Sequence, residues 1–102
     1  MGFSASRFMA EEREALSTID QLLLEHPHDV QEEILRKLSR KIHAIHQQLF
    51  WKGRNPSLST EMVCGAVKEL RDRALGCFGK NVSSSAMPNY SALRQIIDLH
   101  TR

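Results

Sequence analysis

Along this chain, stretches in which apolar residues recur every three or four positions alternate with short polar breaks. That period is helical. Phe8, Met9, Leu16, Ile19, Leu22 and Leu23 fall on one side of a wheel turned by about 100° per residue. They predict a first helix over about residues 7–25, capped by Ser6, with Glu11, Glu12 and Glu14 near its positive end. Glu12 falls within the apolar stripe, so its carboxylate must either reach the rim or meet a basic partner.

His26-Pro27-His28 interrupts the helix, because proline lacks an N–H and disfavours helical geometry in the residue before it. Asp29 is expected to cap the next helix, over about 29–51, with Glu32 at the capping-box position. Here Leu35, Leu38, Ile42, Ile45 and Leu49 are spaced 3, 4, 3 and 4, a heptad seam that Ile34 widens. Glu32 and Glu33 precede Arg36 and Lys37 by four residues, the better orientation for pairing along a helix.

The segment Lys52-Gly53-Arg54-Asn55-Pro56 reads as a turn. Ser59 then caps a third helix over about 60–78, with Leu58 and Val63 at the spacing of a hydrophobic staple. Val63, Val67, Leu70, Ala74 and Cys77 repeat at 4, 3, 4 and 3, with Ala66 alongside, and Gly76 and Gly79 end the helix. After a polar loop over 80–88, Tyr90, Leu93, Ile96, Ile97 and His100 share one face of a short last helix, about 90–101. That helix is marginal alone and must dock on something. Strand-like alternation bounded by turn signals is absent. The predicted fold is all-α: one domain over 1–102, a small antiparallel bundle of three main helices plus a short C-terminal fourth.

Composition narrows this picture. With 41% apolar and 25% charged residues among 102, the chain is ordinary for a globular domain, and wholesale disorder is excluded. Leu22-Leu23-Leu24 is the longest strictly apolar run, so no membrane span and no membrane partner are expected. The N-terminus shows no basic start followed by a long apolar stretch, so no secretory signal is expected. Cys64 and Cys77 would lie about 20 Å apart along one helix, too far for a disulfide. Free cysteines favour a reducing compartment, and a cytoplasmic location is expected.

The net charge is +2, unevenly spread. Residues 1–28 carry two bases against five acids, 29–54 six against three, and 55–102 six against four. The basic excess therefore begins at the second helix. Arg36, Lys37 and Arg40 lie opposite its seam, with Lys41 beside them and Lys52 and Arg54 in the turn beyond. Such a face can track the phosphates of duplex DNA or RNA, or it can simply be solvated. Trp51, the only tryptophan, points outward if the helix continues through it, and folds against the third helix if the helix ends at Phe50. On the third helix Cys64, Leu75 and Phe78 form a second apolar stripe with Arg71 among them, the surplus that small chains bury in a symmetric dimer. Leu24 also falls off its own core face.

No catalytic motif stands out: there is no phosphate-cradling glycine loop and no Gly-x-Ser-x-Gly elbow. His26 and His28 flank a proline, and His43 and His46 are three apart, but neither pair has a third ligand at characteristic spacing, so no metal and no cofactor are expected. His43 and His46 are expected to flank the seam instead. The pattern thus points to a non-enzymatic helical regulatory protein that binds another protein, as a homodimer, through Trp51, Cys64, Arg71 and Leu75. The rival is a duplex-binding module using Arg36, Lys37, Arg40, Lys41, Lys52 and Arg54.

Overall fold

A computed structural model describes residues 3–51, 58–79 and 93–95. It contains α1 (Ala5–Glu25), α2 (Glu32–Phe50) and α3 (Thr60–Gly76), packed against one another, and residues 93–95 form part of a short C-terminal helix. The remainder of the predicted fourth helix, the loop over 80–88 and the turn at Lys52–Pro56 lie outside the described residues.

Three contacts fix the helix directions. The Ser4 amide donates to Thr60 Oγ1 at 2.9 Å, so α1 and α3 start side by side. His26 stacks on Phe78 at 3.9 Å, so they also end side by side. Phe8 meets Phe50 at 5.9 Å, so α2 runs the other way. Consecutive helices are antiparallel, and the first and third are parallel.

The α2 seam is the clearest link from sequence to core. Leu35, Leu38, Ile42, Ile45 and Leu49 are all buried. They meet Phe8, Ala15, Ile19 and Leu22 from α1, six residues of α3 led by Val63, Val67 and Leu70, and Leu93 from the C-terminal segment. Ile34 does not widen the seam, and Met9 stands at the edge of its stripe; both are exposed. Ala15, absent from the predicted stripe, is buried because α3 packs mainly on α1 and extends the buried arc to that side.

Helix ends shifted where tertiary contacts or local turns competed. Ser4, not Ser6, caps α1: its hydroxyl accepts from the Arg7 amide, while its own N–H is held by Thr60 of α3. Asp29 does not cap α2. Its carboxylate accepts from the Gln31 amide at 2.8 Å and its carbonyl from Glu32, closing a turn that delays the helix to Glu32. His28 just before it adopts a left-handed φ of 59°, a conformation that lets the chain reverse. Ser59 caps α3 as expected, accepting from the Met62 amide. Gly79, with φ 69°, closes the last turn after α3.

With α1 beginning at Ala5, its acids do not occupy the first turn. Instead they reach sideways. Arg7–Glu61, Glu11–Lys68 and Glu14–Arg71 form three rungs between α1 and α3, at 3.1, 3.5 and 3.0 Å. Exposed pairs of this kind contribute little energy each, roughly 0–1 kcal/mol. Their order carries more information. Reversing the sequence of rungs would set Arg7 against Arg71 and Glu14 against Glu61, so like charges disfavour the wrong direction. The backbone amide at the start of α3, and then Arg7, hold the Glu61 carboxyl below its ordinary range.

Candidate functional site

The basic face of α2 is largely engaged with neighbouring acids. Arg36 bonds Glu32 through both Nε and Nη2, the shorter contact being 2.7 Å. Glu33 pairs with Arg40 at 3.0 Å rather than with Lys37, because a side chain two turns on can fold back to it. Lys37 is exposed and Lys41 half-buried. Lys52 and Arg54 lie outside the described residues. A phosphate approaching this face must displace two carboxylates to reach the two arginines.

The predicted partner stripe is mostly internal. Cys64 is 2% exposed, and Leu75 and Phe78 pack against the core. Arg71 is held by Glu14 at 3.0 Å and Asp72 at 3.3 Å, with its Nε buried. The physical reason is that α1, lying parallel to α3, covers the arc that sequence periodicity left over. Burial raises the Cys64 and Cys77 thiols above their ordinary range, with Asp29 adding to the rise at Cys77. Both cysteines are free.

Trp51 is different. The helix ends at Phe50, yet the indole does not fold back; it is 82% exposed. Beside it in the chain, Phe50 belongs to an aromatic platform. Phe50 meets His46 at 4.7 Å and Phe8 at 5.9 Å, and Phe8 in turn meets Phe3 at 6.4 Å. Phe50 is 43% exposed. Sequence reading missed Phe50 as a surface residue. The available signal was its position four residues after His46, on the flank of the seam rather than within it.

The platform is held by a polar contact that resolves the conflict at Glu12. Glu12 Oε2 lies 2.7 Å from His46 Nδ1, and the two side chains are 13% and 32% exposed. The carboxylate thus meets an imidazole across the α1–α2 boundary, and the ring it fixes packs against Phe8 and Phe50. A carboxylate that orients a histidine in this way selects its tautomer and ring plane. His26 is occupied by its stack on Phe78, while His28 and His43 are exposed. Among the described residues, no group of three or more His, Cys, Asp or Glu is placed to hold a metal ion. None of their helices is long and apolar enough to cross a membrane.

The geometry therefore brings Phe3, Phe8, His46, Phe50 and Trp51 together at one end of the bundle, separates them from Cys64, Arg71 and Leu75, and leaves the α2 basic face ion-paired at its arginines. No family model, no curated protein and no solved structure matches the chain.

Proposed function

We propose that this is a non-enzymatic helical binding protein that engages another protein through its aromatic end, in a reducing intracellular compartment. The observation that carries the reading is Trp51, 82% exposed and next in the chain to Phe50, which packs against Phe8 and His46. Tryptophan is enriched among residues that dominate interfaces, since it offers a large rigid surface at low entropic cost. The adjoining surface is braced: Phe50 packs against Phe8 and His46, and His46 meets Glu12. The two free cysteines support the choice of compartment. The duplex-binding alternative has only the charge of α2 in its favour, and Arg36 and Arg40 are already paired there.

Trp51→Ala tests this. A protein recovered with the tagged chain after nuclease treatment should bind the variant about 30-fold more weakly, the consequence of losing a central anchor worth about 2 kcal/mol. Lys37→Gln should bind as the wild type does. Equal affinity of the Trp51→Ala chain, or recovery that depends on intact nucleic acid, would overturn the reading.

A further inference from the structure

The outer face of α1 carries a pattern with an internal two-fold symmetry. On a wheel of about 100° per residue, Met9, Arg13, Ser17, Asp20 and Leu24 fall within an arc of about 80°, roughly opposite the buried face of Phe8, Ala15, Ile19 and Leu22. All five are exposed, Met9 by 44% and Leu24 by 76%. Met9 and Leu24 are equidistant from the midpoint between Leu16 and Ser17, and so are Arg13 and Asp20. The order along the helix is apolar, basic, small, acidic, apolar.

We infer that this face is an interface for a second copy of the chain, packed with its α1 antiparallel. A two-fold axis through the midpoint places Met9 against the partner's Leu24 and Arg13 against the partner's Asp20, each contact occurring twice. Such self-complementarity is what a two-fold interface requires. Charge supplies the specific argument. Arg13 and Asp20 stand about 10 Å apart along α1, the spacing that Glu33 and Arg40 bridge on α2, yet these two do not pair with each other. Neither makes an ion pair among the described residues, whereas Arg7, Glu11 and Glu14 on the same helix do. Ser17 beside the axis lets two helices approach closely. An open groove of about 580 Å³ between α1 and α3 borders the stripe at Arg13 and Ser17, while Met9, Asp20 and Leu24 stand outside its lining.

The stripe spans about 22 Å. Alone it is smaller than the roughly 800 Å² per partner of a standard interface, so the dimer is weak and salt-sensitive. The inference stands apart from the Trp51 reading, since the aromatic end is not required for it.

Sedimentation of the full chain at low salt, up to several hundred micromolar, tests it by charge reversal. The wild type should approach twice the monomer mass. Arg13→Glu alone sets two acids together at both symmetry-related positions, and Asp20→Arg alone sets two bases together. Each should weaken association about tenfold or more. An equimolar mixture of the two variants should restore it, because each then supplies the charge the other lacks. Trp51→Ala should dimerise as the wild type does. A wild type that stays monomeric, a dimer indifferent to both reversals, or a mixture that fails to associate would each overturn the inference.

Discussion

Phe8→Ala is expected to lower the unfolding free energy by about 3–5 kcal/mol, the range for deleting a fully buried aromatic ring. Phe8 is 0% exposed and touches three other rings, those of Phe3, His46 and Phe50. Truncation removes its burial and leaves a cavity that helices fixed at both ends cannot readily close. A domain of this size has about 5–15 kcal/mol in all, so much of the margin would go. A second consequence distinguishes this position from others in the core. Phe50 would lose its brace, so partner binding through Trp51 should weaken even at temperatures where the variant remains folded. Denaturant unfolding and partner affinity, measured on the same preparation, check both parts. An unchanged midpoint would show that Phe8 is not core.

Ile42→Ala is expected to cost about 2–5 kcal/mol. Ile42 is 0% exposed at the centre of the α2 seam, between Leu38 and Ile45. It lies two turns from Phe50, about 12 Å along the helix, so the aromatic end should keep its shape. Stability should therefore fall while partner affinity, corrected for the folded fraction, stays near that of the wild type. Parallel losses of both would mean that the aromatic end is not the binding surface, or that α2 responds as one rigid unit.

The contrast between these two residues also shows what the sequence could reveal. The α2 seam was readable because heptad spacing ties five positions to one face, and all five are buried. The partner side of α1 and α3 was not readable. Periodicity shows how wide an apolar stripe is, but not which neighbour covers it. Cys64 therefore looked like surplus until the parallel packing of α1 enclosed it, and Leu75 is half-buried against the same core. Glu12 looked like a conflict until His46, 34 residues away in sequence, supplied the partner. The acids of α1 were read as lying near its positive end, whereas the rungs from Glu11 to Lys68 and from Glu14 to Arg71 needed the register of two distant helices. Trp51 was legible as a candidate from its singularity, but the helix end alone did not decide its exposure: α2 ends at Phe50 and the indole is exposed all the same, because Trp51 keeps helical dihedrals and its N–H bonds the Gln47 carbonyl.

Duplex binding at two salt concentrations tests most directly the claim that this protein recognises protein rather than nucleic acid. The wild type is compared with a chain carrying Arg36→Gln, Lys37→Gln, Arg40→Gln and Lys41→Gln. Glutamine preserves helix propensity, and losing the pairs to Glu32 and Glu33 should cost under about 1 kcal/mol, so the fold survives in both. The account predicts weak duplex binding by the wild type, little changed by the four substitutions, while protein-partner binding still depends on Trp51. Tight wild-type binding that falls steeply with salt and collapses in the fourfold variant, with helicity intact, would contradict it.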